Sequence, residues 1–301
     1  MDNKPTYDKP LVEATMLNRI GILVLGFISM ILVTGMLQSV LHSTMTDARS
    51  VFMISATVQC LLAFMLPAWL AARLCGRHPV GYLGLCRAVA PRQFAGTLLL
   101  LLLMTPAMNA VIGWNENVSL PTSMSGLEET MRNLENSAAA TTSMILGDAS
   151  VWGLVSGVLV IGCLTGFAEE MFFRAGLQRA ITAGGVNGHV AVWTAAFVFS
   201  FVHFQFFGFV PRLLLGATFG YLYLYTGSLW IPAFAHAFNN SLVVVAEWLA
   251  ARGTSRIDID TVGADLPWLS VTSLALTILL IVFFGRPLFR PAVPAGDAGA
   301  S

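Results

Sequence analysis

The sequence predicts an all-α polytopic membrane protein, with about eight transmembrane helices around an intramembrane polar cavity. Three observations lead there. The 301 residues are 56% hydrophobic and only 11% charged, with a mean hydropathy of +0.75, whereas a soluble domain carries about a quarter of its residues as charges. Apolar windows long enough to cross ~30 Å of hydrocarbon at ~1.5 Å per residue recur along the chain. Finally, ionisable and polar side chains (Glu169, Glu170, Arg174, His203, His236 and Asn240) stand inside the later windows.

The windows fall near 20–41, 51–72, 93–113, 151–172, 190–207, 212–228, 230–250 and 266–284. The first is longer than the ~7–15 residues of a signal h-region and has no small-residue cleavage site, so it is expected to stay as an anchor. The fifth and sixth are short and meet at the break Gly208–Phe209–Val210–Pro211. Residues 74–92, with several glycines and arginines, are expected to form an interfacial connector. Residues 114–150 are polar, and the stretch SGLEETMRNLENS suits an amphipathic helix on the outer surface. The tail from Pro291 is rich in Pro, Ala and Gly and is expected to be disordered. This divides the chain into a three-helix region over 1–150, a core over 151–250, and a last helix with tail over 251–301.

Orientation follows the basic residues of short loops. Lys4, Lys9 and Arg19 precede the first window, Arg73, Arg77, Arg87 and Arg92 follow the second, and Arg286 and Arg290 follow the last. Both termini are therefore expected on the cytoplasmic side, which requires an even number of spans. The compact chain suits a bacterial inner membrane. Net charge is zero, so no overall field points to nucleic acid. The cysteines lack CxxC pairing, and Cys60, Cys75 and Cys163, in or beside apolar runs, read as small buried hydrophobes.

A charged residue at the centre of a spanning helix costs roughly 2.5–3.5 kcal/mol on insertion scales, so such residues face inward and carry function. In GFAEEMFFRAGLQRA, Glu170 and Arg174 stand four apart and share a helical face. Glu169 is turned about 100° away, free to face a cavity. In FVFSFVHFQFF, His203 lies among phenylalanines, four residues after Phe199. In IPAFAHAFNNS, His236 and Asn240 again stand four apart on one face, and Asn239 points elsewhere. His42, His78 and His189 fall at helix ends or loops and are expected to be solvated, and Glu247 is expected at the outer interface.

The ordered motifs EExxxR (Glu169, Glu170, Arg174), FxxxH (Phe199, His203) and HxxxN (His236, Asn240) resemble those of the CPBP family, which comprises the type II CAAX prenyl endopeptidases and the bacteriocin-processing, Abi-type membrane proteins. The resemblance covers about residues 150–250. It implies an eight-helix intramembrane endopeptidase acting on a peptide or protein substrate, prenylated or membrane-associated. Carried over, Glu169 is the base that activates water, His203 assists it, His236 and Asn240 stabilise the oxyanion, and Glu170 and Arg174 support Glu169.

Peptide hydrolysis needs a nucleophile from water, a proton acceptor, and donors aimed at the developing oxyanion, and these residue types supply them. Glu169, His203 and His236 are also a zinc-type ligand set, although HExxH is absent. A cofactor-free glutamate mechanism is the expectation and a zinc ion the alternative. Competing functions are a non-catalytic bacteriocin-immunity or scaffold protein and a proton-coupled transporter. Simple alternation of helices separates His203 from Glu169 along the membrane normal. A single site therefore requires a cavity reaching mid-depth, expected to open toward the cytoplasm.

Overall fold

The structure, a computed structural model, describes residues 14–76, 78–253, 263 and 266–289. Lys4, Lys9, Arg77, Arg290 and the tail from Pro291 lie outside the described residues, as does the side chain of Arg286. The described residues form helices and no strands. In order these are α1 (Met16–Thr44), α2 (Ala48–Cys75), a single turn α3 (Pro79–Tyr82), α4 (Pro91–Glu116), α5 (Ser125–Leu146), α6 (Val151–Ala183), α7 (Gly188–Phe201), α8 (Phe209–Thr226), α9 (Trp230–Ala251) and α10 (Pro267–Leu279). The last continues as helix through Leu280–Phe284 and Gly285–Phe289.

Each apolar window contains a helix, and the chain is an all-α polytopic membrane protein. Among the described residues, five helical segments are long and apolar enough to cross a bilayer by length and composition: α1, α2, α4, α6 and Phe206–Thr226. The apolar helices Gly188–Phe201 and Pro267–Phe283 are shorter. Helix α9 is long enough, but His236, Asn239, Asn240 and Glu247 dilute its apolar character. The polar residues that mark it as interesting thus also keep it off a purely apolar tally.

The connections sort to two ends, as alternating helices require. At one end Gly84 of the connector accepts from the Leu229 N–H at 3.2 Å, tying the α2–α4 link to the α8–α9 turn. Only glycine suits position 84, since its φ is +74° and a Cβ would sit 2.7 Å from the Gly227 carbonyl oxygen. The Trp230 indole N–H donates to the Leu85 carbonyl at 3.1 Å beside it. At the other end Arg49 pairs with Asp148 at 3.6 Å, and the Trp248 indole donates to the Ser150 carbonyl at 2.9 Å. Helix α5 docks there as well, Glu135 accepting from the Phe207 N–H at 3.3 Å. The first end carries Arg19, Arg73, Arg87, Arg92 and Arg179 and is the arginine-rich one.

Helix α6 is central. It packs on α1, α2, α7 and α9, and a buried cluster including Leu23, Phe64, Ala68, Phe172, Phe173 and Phe199 surrounds it. Its approach to α9 depends on glycines. A Cβ on Gly157 would meet Val244, one on Gly162 would meet Ser241, and one on Gly166 would lie 2.8 Å from the Ala237 backbone nitrogen. Gly157 and Gly162 are five apart, which would turn them to different faces of an α-helix. The π-helical turn Val158–Leu164 absorbs the extra residue and keeps all three against α9.

Gly166→Ala should destabilise the protein by about 1–3 kcal/mol, because the added methyl meets backbone that cannot yield. Gly113→Ala, which meets nothing within 4 Å, should be neutral or slightly stabilising. Denaturant unfolding in detergent checks both.

Candidate active site

The two adjacent carboxylates of α6 are treated differently by the fold. Glu170 and Arg174 are fully buried, with Arg174 Nε 2.9 Å from Glu170 Oε2. The contact is an ion pair by distance, but its alignment falls short of a hydrogen bond. The guanidinium lies over the rings of Phe199 and Phe219, 5.0 and 5.9 Å from their centroids, where the ring faces attract the cation. Glu170 Oε1 is 2.9 Å from His236 Nδ1. With Glu170 an ionised partner of Arg174, the Nδ1–H donates to it and leaves Nε2 pointing across to Glu169 Oε2 at 3.7 Å. His236 is further fixed by stacking on Phe219 at 5.0 Å and an edge contact with Phe199 at 5.7 Å. Arg174 therefore holds Glu170, and Glu170 orients the imidazole of His236.

Glu169 is half-buried and lines a cavity of about 550 Å³ together with His203. Gln59, Cys60 and Thr165 line it too, and its apolar wall includes Phe27, Ile31, Phe64 and Phe204. His203 is not inside a helix, because α7 ends at Phe201 and the histidine follows in a turn. Its Nδ1 bonds the Phe199 carbonyl at 2.7 Å, and its ring meets the Phe199 ring at 5.0 Å. A 14-residue helix rises only about 21 Å, so α7 stops short of a full crossing and delivers His203 to the depth of Glu169. The fifth window read as 190–207 is corrected accordingly. A phenylalanine-rich run cannot show from composition alone where its helix ends.

Asn240 stands one turn beyond His236. Its amide nitrogen donates to the Ile161 carbonyl at 3.2 Å, within the π-helical turn of α6, and leaves one N–H for another acceptor. The structure thus joins Glu169, Glu170, Arg174 and His236 in one network and brings His203 to the same cavity as Glu169. Asn240 lies at the α6–α9 seam and borders neither cavity described here. Among the described residues, no group of three His, Cys, Asp or Glu side chains is arranged to hold a metal ion. Glu169, His203 and His236 therefore do not converge as a ligand set.

A second cavity, of about 270 Å³, lies between α4, α8 and α9 and is lined by Asn109, Arg212 and Asn239 among others. The lining residues of both cavities lie toward the end opposite the arginine-rich one. The sequence analysis does not single out Arg212, although a charge opening an apolar window is the available signal. His42, His78 and His189 are exposed. Cys60 and Cys75 are buried as expected, but Cys163 is exposed, because it faces outward on α6 beside an apolar recess with Phe167 and Phe234.

Arg174→Ala would leave Glu170 buried beside His236 without its cation. Breaking a buried pair in this way costs about 3–5 kcal/mol. Thermal and denaturant unfolding in detergent should show a loss of that size, above the loss from Arg49→Ala at the partly exposed Arg49–Asp148 pair.

Residues 151–242 match the family described as Type II CAAX prenyl endopeptidase Rce1-like. The uncharacterized protein YpbD of Bacillus subtilis (strain 168) is 31% identical over 83 residues, which cover 26% of this chain and 39% of that protein. The chain thus spans about two fifths of that relative's length. No solved structure matches the chain. The matched segment runs from the start of α6 to Leu242 of α9 and contains Glu169, Glu170, Arg174, His203, His236 and Asn240. This segment is thus similar to the type II CAAX prenyl endopeptidase Rce1-like family.

Proposed function

We propose that the protein is an intramembrane endopeptidase that hydrolyses a peptide bond with a water activated by Glu169. The observation that carries this reading is the division of labour on α6. Glu170 is committed to Arg174 and His236, whereas Glu169 faces a cavity that His203 also lines. Glu169 takes a proton from a water steadied by His203, and the water oxygen attacks the substrate carbonyl carbon. The developing oxyanion accepts from the remaining Asn240 amide N–H and from His236 Nε2 when it carries a proton. Glu169 returns the proton to the leaving nitrogen as the C–N bond breaks, giving a carboxylate and an amine. The 3.7 Å separation of Glu169 and His236 is longer than a hydrogen bond, as is common before substrate tightens a site.

This chemistry uses side chains of the chain itself and needs no metal. The substrate is a peptide or protein segment at the membrane, and a prenylated protein end is the first to try, given the family description. The excess of arginines at one end supports placing that end in the cytoplasm, with the protein in a bacterial inner membrane.

Membranes carrying wild type or Glu169→Ala are compared by mass spectrometry for peptides that accumulate unprocessed, with and without a chelator. Processing should be lost in the variant and indifferent to the chelator. Unchanged processing in the variant would sink the enzyme reading, and chelator sensitivity would overturn its metal-free form. Asn240→Ala should lower kcat about 10²–10³-fold, the usual effect of removing one oxyanion donor.

A further inference from the structure

Arg212 is a cation that the mechanism above does not use. It stands in the first turn of α8 and is half-buried in an apolar protein. Arg49, Arg132 and Arg174 each have a carboxylate partner within 4 Å. Arg212 forms no such pair with a described residue. Glu135 and Glu169 act on it electrostatically, but Glu135 spends Oε2 on the Phe207 N–H and Glu169 faces the other cavity. Its guanidinium is positioned nonetheless: Nη2 donates to Gln205 Oε1 at 2.7 Å and Nη1 to the Gln205 carbonyl at 3.3 Å. Those two bonds leave three of the five N–H groups of an arginine.

Two further features bear on what the group does. A Cβ at Gly208 would stand 3.1 Å from Nη2, so the glycine leaves the guanidinium its place. The backbone N–H groups that open α8 are already engaged, Phe209 with the Phe206 carbonyl and Val210 with Asn115 Oδ1, and Pro211 has none. A negative group entering here is therefore met by the Arg212 side chain. The cavity it lines also contains Asn239, whose amide lies 3.5 Å from Asn240 Oδ1, and Gln205 follows His203 by two residues. The cavity thus abuts the proposed reaction centre on the side away from the apolar wall of Phe27, Ile31 and Phe64.

We propose that Arg212 is the anion-receiving group of the site: the cavity between α4, α8 and α9 takes the part of the substrate that carries a carboxylate, and Arg212 is its counter-ion. The carboxylate comes from the free end of the substrate chain or from an acidic side chain near the cut. A half-buried guanidinium without a counter-ion is costly, and a planar carboxylate matches its fork. The proposal rests on the endopeptidase reading, but its test does not require hydrolysis.

The full chain carrying Glu169→Gln is purified in detergent and titrated calorimetrically with dodecanoyl-Leu-Ala-Leu-Leu. The probe is used as the free acid, as the C-terminal amide, and as the amide with Asp in its third residue. At least one carboxylate-bearing probe should bind about tenfold or more tightly than the plain amide. Preference for the free acid alone assigns the carboxylate to the chain end, and preference for the Asp-bearing amide assigns it to a side chain. Arg212→Gln should abolish the preference at a melting temperature near the parent's. Should that variant not fold, Arg212→Lys, which keeps the charge but loses the fork, should reduce the preference several-fold. Equal binding of all three probes, no binding of any, or a preference unchanged in the Arg212 variants overturns the proposal. No preference in the Glu169→Gln protein, when the wild type hydrolyses peptides, removes only the role of Arg212. A preference in the Glu169→Gln protein, when the wild type hydrolyses nothing, removes only the enzyme reading.

Discussion

Burying an ion pair in the middle of an apolar helix constrains everything packed around it. Glu170 and Arg174 are both fully buried, and neither is tolerable at that depth without the other. Their pairing fixes the rotation of α6 about its axis, because the face that carries them must turn inward. It also leaves one carboxylate oxygen for a second helix, and His236 of α9 takes it at 2.9 Å. That bond can form only if α6 and α9 nearly touch, which the glycines at 157, 162 and 166 permit. The π-helical turn between the first two glycines keeps them in line. The ion pair, the small-residue seam and the helical irregularity are thus parts of a single solution.

The same constraint separates the two carboxylates of the EE pair. Glu170 is turned into the protein by Arg174, and the ~100° step of the helix then turns Glu169 toward open space. Helix α7 completes the arrangement by being too short: ending at Phe201, it brings His203 to the cavity wall in a turn where the backbone is free to bend. The reaction centre proposed here sits where α6, α9 and this turn meet. An apolar cavity lies on one side and a cavity with polar lining on the other.

Much of this was legible in the sequence, because a bilayer makes hydrophobic length a direct readout of helices and makes each intramembrane charge conspicuous. The eight apolar windows, the inward Glu170–Arg174 face and the outward turn of Glu169 all follow from hydropathy and helical period. The unreadable features depend on non-local packing. The end of α7 is hidden because phenylalanine suits a helix, a turn and an apolar wall equally well. The π-helical turns leave no residue signature, and only the five-residue glycine spacing hinted at one. Arg212 was masked by its place at a window's edge. Cys163 has the composition of a core residue but faces outward, since lipid-facing and core-facing positions of such a helix are equally apolar.

The central claim is that Glu170 couples α6 to α9 through His236. A double-mutant cycle with Glu170→Gln and His236→Gln, read as unfolding free energy in detergent, isolates that term from the loss of the Arg174 partner. The two substitutions should be coupled by about 1.5 kcal/mol or more, as for groups sharing one buried network. Additivity within about 0.5 kcal/mol would contradict the claim and reduce the contact to mere proximity.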